Sequence, residues 1–165
     1  MVIARTKMVI QDDLLKPWPK ATVSYAGPNA ERFYKEIPKL LQSVFRVHPG
    51  DIQEKKFSWS KGEPEKFSVK WEMDKNLDRN SYYQVTVELK GTGGKEGKAE
   101  IVVDGALRTE YPQDTVWERS LLYEFLRVFW HRIFYWSKRE QMIREGSRLL
   151  AVYLENLKRL AHQKE

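Results

Sequence analysis

The sequence predicts an α+β protein: an antiparallel β-sheet meander packed on one face by a long C-terminal α-helix and a short kinked helix pair. Apolar and polar residues alternate over four successive segments between Phe57 and Val103, which is typical of strands with one buried face. From Thr115 to about Leu160, apolar residues instead recur at helical spacing. The chain has 165 residues, the length of one ordinary domain that can bury its own core.

The beginning of the chain divides into an arm and the start of this domain. Residues 1–20 form the N-terminal arm, and Pro17-Trp18-Pro19 holds its end in an extended backbone. Residues 21–165 form a single α+β domain. Its first element is a strand at Ala21–Ala26.

Two later elements leave alternatives open. Pro38 interrupts a run with helical spacing, so we expect two short helices, 29–37 and 38–46, or one kinked helix. The alternation resumes at 107–111, after the meander. This piece is either a further hairpin strand or a bulged continuation of the strand before it.

The C-terminal helix is too long for a compact domain. Thr115 and Glu118 form a capping box, and the helical pattern runs over about 115–162. At about 1.5 Å per residue the helix would be about 72 Å long, whereas a compact chain of this size is roughly 40 Å across. We therefore expect the helix to break near Gly146, or to project from the domain and meet another molecule.

One segment of this helix, Leu121–Trp136, has more apolar surface than one sheet can cover. Twelve of its sixteen residues are apolar or aromatic, and they fill about half of the helix circumference. A wet surface of this kind would be an aggregation hazard, and homodimerisation is the simplest way to cover it. The predicted dimer interface consists of Leu122, Phe125, Leu126, Phe129, Ile133, Phe134 and Trp136.

Positive charge is concentrated on the same helix. The net charge is +6, and residues 115–165 carry ten bases against six acids. This distribution favours a polyanionic partner, with the bases following a phosphate backbone and an aromatic ring stacking on an unpaired base. The alternative is a salt-bridged helix face, neutralised by Glu124, Glu140 and Glu145. The predicted nucleic-acid contacts are Arg127, His131, Arg132, Lys138, Arg139, Arg144, Arg148 and Trp130.

The arm offers a second set of contacts to RNA or to a partner subunit. Its alternative is a mobile or edge-pairing terminus. The predicted arm contacts are Arg5, Lys7, Lys16, Trp18 and Lys20.

The sequence lacks the patterns of an enzyme or a metalloprotein. There is no cysteine, the three histidines are far apart, and no serine lies in a nucleophile-elbow pattern. We therefore expect no catalysis, no metal and no cofactor. Charged residues interrupt the aromatic run, and the first residues lack a signal-peptide core, so we expect a cytoplasmic protein with no membrane partner.

The element order over about residues 21–145 resembles the helix-grip fold of START-domain and pollen-allergen-like proteins. This resemblance implies a curved sheet wrapped around the C-terminal helix, and it implies an apolar ligand between them. In composition the chain is also similar to small archaeal accessory proteins of the translation machinery, which are basic, cysteine-free and heat-adapted. That similarity implies a factor that joins ribosomal subunits or holds them in hibernation.

These observations favour a non-enzymatic homodimer that binds RNA or a ribonucleoprotein. One alternative is a helix-grip carrier of a hydrophobic small molecule. Another is a protein–protein adaptor that uses the same aromatic helix.

Overall fold

The computed structural model describes residues 6–113 and 121–162, and its fold is α+β, as the sequence predicts. One antiparallel sheet of six strands forms the first layer, in the order β1-β6-β5-β4-β3, with β2 also paired to β6. The strands are β1 (Thr6–Asp13), β2 (Lys20–Ala26), β3 (Ile52–Ser60), β4 (Lys66–Asn76), β5 (Ser81–Thr92) and β6 (Lys98–Gln113).

The long strand β6 resolves two alternatives. Residues 107–111 continue this strand, and their register with β5 has no shift. On its other side β6 pairs first with β2 and then with β1, from Ala26↔Lys98 to Thr6↔Gln113. Residues 6–13 of the arm are therefore a strand of the sheet, which is the edge-pairing alternative. This pairing satisfies the backbone groups of β1 that face β6.

Helix α1 (Phe33–Phe45) is one helix that continues through Pro38, preceded by a 3₁₀ turn at Ala30–Arg32. Its apolar residues recur every four positions and are fully buried: Phe33, Ile37, Leu41 and Phe45. Each such burial contributes about 1.5–3 kcal/mol, and together they outweigh the roughly 3 kcal/mol that an interior proline costs.

The C-terminal helix does not break near Gly146, so the first of the two alternatives is wrong. Helix α2 (Leu121–Trp130) passes through a π-helical turn (His131–Tyr135) into α3 (Trp136–His162). Gly146 lies where α3 crosses the sheet, and a Cβ atom there would be 2.7 Å from Cε1 of Tyr83. The glycine therefore serves close packing. The capping box at Thr115 and Glu118 lies outside the described residues.

Helices α1 and α3 lie on one face of the sheet and close the core. From α3 the fully buried side chains are Leu150, Tyr153 and Leu157, and they pack against α1 and the strands. From β2 to α3, one helix, four strands and the long C-terminal helix follow one another, which is the order that the sequence predicts. Residues 122–136 lie beyond this core, and most of their apolar surface is exposed.

Candidate functional site

A chain of hydrogen bonds anchors the π-helical turn to the sheet. Arg139 can only donate, and it donates to the hydroxyl of Thr109; Asp78 accepts from the hydroxyl of Tyr135 over 2.7 Å. Between these ends, Ser81 is 2.8 Å from Thr109 and 2.7 Å from Tyr135. The fixed ends set the direction, so each hydroxyl donates toward Asp78. Such a chain strengthens every bond within it.

Asp78 is the acceptor on which this network ends. Lys138 donates to the same carboxylate oxygen over 2.8 Å, and the backbone amides of Asn80 and Ser81 donate to the other oxygen. Burial alone would raise the pKa of Asp78, but these hydrogen bonds, with that of Tyr135, outweigh it and lower the pKa to about 2. Burial and the bond to Asp78 raise the pKa of Tyr135, which keeps its hydroxyl a donor.

Arg139 is predicted as a nucleic-acid contact, and the structure contradicts this. Its side chain is only 2% exposed and forms an ion pair with Asp12 at 2.8 Å. It also donates to the backbone carbonyls of Ile10 and Leu107. All of these acceptors belong to the chain itself, so Arg139 holds α3 to strands β1 and β6.

Arg127 is also turned toward the protein, contrary to the prediction. It is 8% exposed, and its guanidinium lies 5.6 Å from the ring centre of Tyr111 and 5.8 Å from that of Tyr123. Cation–π contacts of this kind hold a charge against an aromatic surface. The salt-bridged alternative holds for Lys138, although its acid is Asp78, in the turn between β4 and β5, rather than a helix glutamate. Three of the predicted RNA contacts are therefore used internally.

The other predicted contacts on the helix whose side chains the structure describes are exposed to solvent. Arg132, Arg144 and Arg148 are exposed; Arg144 has only a long contact of 3.8 Å to Glu140. Trp130 is exposed and packs its ring against Phe134, with 4.6 Å between ring centres. Arg5, and the side chains of Lys7 and His131, lie outside the part of the chain that the structure describes.

The arm and the helix, predicted as separate contacts, meet at one cleft. A cavity of about 290 Å³ lies between the segment after β1 and the start of α3, with Lys16 on one side and Arg144 and Trp136 on the other. Trp136 donates from Nε1 to Glu140 over 3.0 Å, which fixes its ring at the rim. The hydroxyl of Ser147 donates to the carbonyl of Leu14 over 2.8 Å and fixes the two walls together.

Two further arm residues extend this surface. Trp18 is 73% exposed, and Lys20 at the start of β2 is exposed as well. We define the cleft surface as Lys16, Trp18, Lys20, Trp136, Arg144 and Arg148. It combines exposed cations with exposed tryptophan rings, which is the chemistry that binds single-stranded nucleic acid.

The predicted dimer residues form an exposed face, as the sequence analysis expects for one copy of the chain. Nine apolar side chains between positions 122 and 136 are each 53–70% exposed. We call eight of them the aromatic face: Leu122, Phe125, Leu126, Val128, Phe129, Trp130, Ile133 and Phe134; the ninth, Trp136, lies at the rim of the cleft and is counted with the cleft surface. Arg132 is the charged residue that the structure describes as exposed on this segment. Interface cores are similarly poor in charge.

Sequence reasoning missed a second basic surface, on the outer face of the sheet. Lys66, Lys90 and Lys98 come from three neighbouring strands and line an open cavity of about 690 Å³. Only the strand register brings them together, because the sequence around them is slightly acidic overall. Lys90 is paired with Glu88 at 3.0 Å, which reduces the charge available there.

Two tyrosine side chains lie between α3 and the sheet, where the helix-grip resemblance implies an apolar ligand. Tyr83 and Tyr153 are fully buried between α3 and the sheet. Burial, with a smaller effect of the Glu145 charge, raises the pKa of Tyr83 to about 12, and its hydroxyl donates to the carbonyl of Met142 over 2.6 Å. Within the described residues, no three acidic or histidine side chains come together to hold a metal ion.

No family model and no curated protein matches the chain. Among solved structures, truncated norcoclaurine synthase from Thalictrum flavum is similar at a TM-score of 0.26 and 13% identity, over 91% of this chain and 97% of that one. A point mutant of that enzyme with a transition-state analogue has a TM-score of 0.25 and 14% identity, over 94% and 99%. The structure of that enzyme in complex with dopamine and hydroxybenzaldehyde has a TM-score of 0.25 and 16% identity, over 98% of this chain and 91% of that one. Likeness at this level carries no inference about activity. Within the described residues, no helix is long and apolar enough to cross a membrane.

Proposed function

We propose that the protein is a non-enzymatic homodimer that binds RNA or a ribonucleoprotein through the cleft surface. The observation that carries this proposal is the meeting of Lys16 and Arg144 beside the fixed ring of Trp136. Two cations from distant parts of the chain then face one small cleft, whose lining also holds the carboxylates that pair with them, Asp12 and Glu140. Such an arrangement fits a phosphate, with a base against the neighbouring ring.

The charges at the cleft surface can leave their present partners. Lys16 is 3.5 Å from Asp12, and Arg144 is 3.8 Å from Glu140, so both ion pairs are long and exposed. Exposed pairs contribute little, about 0–1 kcal/mol, and a phosphate can replace them at small cost. Arg148 lies one turn beyond Arg144 and extends the line of charge.

A two-fold dimer would carry two copies of the cleft surface. It could then hold two RNA segments or two RNA particles, which is what a factor that joins or silences ribosomal subunits must do. The net charge of +6 per chain supports attraction to such particles.

The carrier alternative is less well supported, because the buried tyrosines occupy the interior. The adaptor alternative uses the aromatic face, and it differs from the proposal in needing no RNA.

Binding of a fluorescent single-stranded RNA at several salt concentrations tests the proposal. We expect binding to weaken by about 0.7 log unit per log unit of salt for each phosphate contacted. The triple variant Lys16→Glu, Arg144→Glu and Arg148→Glu should bind at least about tenfold more weakly and with a smaller salt slope.

The matched control replaces three exposed lysines elsewhere, Lys35→Glu, Lys61→Glu and Lys95→Glu. Both triple variants change the net charge by the same amount, so only the location differs. Equal losses in both variants, or binding that salt does not affect, would show that the cleft surface is not the RNA site.

A further inference from the structure

The starting observation is that Arg127 and Arg139 both face the protein. They are twelve residues apart, which in an α-helix is three and one-third turns and places them about 120° out of phase. A regular helix could not bury both on one side. Yet both are buried, at 8% and 2% exposure.

The π-helical turn between Arg127 and Arg139 removes most of this phase difference. A π turn takes up one more residue than an α turn, so it changes the phase of the helix by about 100°. With this turn at His131–Tyr135, the twelve residues make close to three full turns. Arg127 therefore returns to the face that carries Arg139.

This phase also decides where the aromatic face points. Leu122, Phe125, Leu126 and Phe129 are on the side of α2 opposite Arg127. When the arginine faces the sheet, these side chains must face the solvent. Because of the π turn, the apolar side chains of α2 face the solvent, whereas those of α3 face the core.

We propose that the π-helical turn exists to present the aromatic face, and that the occupant of this face is the same face of a second copy. The four aromatic side chains alone expose about 500 Å², to which the four aliphatic side chains add. A stable interface needs about 800 Å² from each partner. A two-fold contact uses one patch on both copies, and an apolar patch with little charge is complementary to itself.

This inference deepens the homodimer part of the proposed function and does not depend on RNA. Its tests use protein freed of nucleic acid. RNA binding can therefore fail while the interface holds, and the interface can fail while RNA still binds.

The first test is the mass of the protein by sedimentation equilibrium. We expect a dimer for the natural chain and a monomer for Leu122→Glu/Phe129→Glu, with dissociation at least about a hundredfold easier because two central apolar contacts are lost. Phe125→Lys is a second, independent variant. The control is Val152→Glu, an apolar residue of α3 that is 42% exposed and lies off the aromatic face.

The second test changes the phase of the helix. Deletion of Ile133 places the two arginines eleven residues apart, close to three turns of regular α-helix, so the dimer should persist with its dissociation constant within about tenfold. Insertion of one alanine between Trp130 and His131 adds about 100° of rotation and should abolish the dimer.

Results of two kinds would overturn the inference. The first kind concerns the interface residues: the natural chain is a monomer at high concentration, or its dimer survives Leu122→Glu/Phe129→Glu. The second kind is an insertion variant that still dimerises as tightly as the deletion variant. Circular dichroism of each variant establishes that the fold is retained.

Discussion

The two parts of the C-terminal helix are held in opposite ways. The α3 part buries apolar side chains, with Leu150, Tyr153 and Leu157 in the core. The α2 part and the π turn are held by polar contacts, through Arg127 and Tyr135, and keep their apolar side chains outside. Within one continuous helix, the α3 part therefore contributes to the core and the α2 part forms an exposed surface.

The difference teaches which forces position a functional surface. Apolar burial is strong but not directional, whereas a hydrogen-bond chain fixes one orientation and depends on every member. The α2 part can thus be placed with its rings in solvent, because its position does not rely on burying them. Because the α2 part depends on a few polar contacts instead of apolar burial, it should be the first part of the helix to unfold locally.

The sharpest contrast between the two parts comes from one substitution made in each. Leu150→Ala leaves a cavity under α3 and should lower the free energy of unfolding by about 3–4 kcal/mol. Leu126→Ala on the aromatic face should cost less than about 0.5 kcal/mol in a monomeric background. Urea denaturation measures both, and equal costs would show that α2 is packed like α3.

The ion pair of Asp12 and Arg139 should be the next largest effect. Asp12→Ala leaves the buried guanidinium without its carboxylate, and the remaining carbonyl and hydroxyl acceptors limit the loss to about 2–3 kcal/mol. Adding Arg139→Met should recover most of the loss, because the uncompensated charge is gone. A double variant as unstable as Asp12→Ala would contradict this account of the pair.

Two tyrosines should respond oppositely to loss of the hydroxyl. Tyr135→Phe removes the link between Ser81 and Asp78 and should cost about 1–2 kcal/mol. The hydroxyl of Tyr153 is buried and has no hydrogen-bond partner among the described residues, so Tyr153→Phe should be neutral or slightly stabilising. Thermal unfolding of the two variants gives the comparison, and a destabilised Tyr153→Phe would rule out the orphaned hydroxyl.

Acid should weaken the polar anchor before the apolar one. The folded pKa of Asp78 is about 2, below its ordinary value of 3.8, so its contribution is complete above pH 4 and is lost as the pH falls toward 2. After screening by solvent the loss should be about 1 kcal/mol. Asp78→Asn should remove this part of the pH dependence; an unchanged acid profile would exclude Asp78 as its source.

The sequence was sufficient for the sheet and for the existence of an aromatic helix. Alternation of apolar and polar residues predicts β4 and β5 because one face of the sheet is dry. It could not predict that the helix runs through Gly146, since the close approach of Tyr83 that requires a glycine is a contact across 63 positions. Helical spacing defined a charged stripe but not the direction in which it points.

The candidate site was only partly predictable for the same reason. The partner of Arg139 is Asp12, 127 residues away, and no local pattern connects them. The meeting of Lys16 with Arg144 depends on how the segment after β1 lies along α3. The lysines of the outer sheet face meet only through strand register. The sequence shows which residues are charged, whereas the packing of distant segments decides which groups they contact.

Oxidative footprinting of the nucleic-acid-free protein over a range of concentrations tests the central claim most directly. We predict that Phe129, Trp130 and Phe134 react readily in dilute protein and become protected as concentration rises, while Tyr153 stays protected throughout. Rings on α2 that are protected at every concentration would mean that one copy buries them, and would contradict the account.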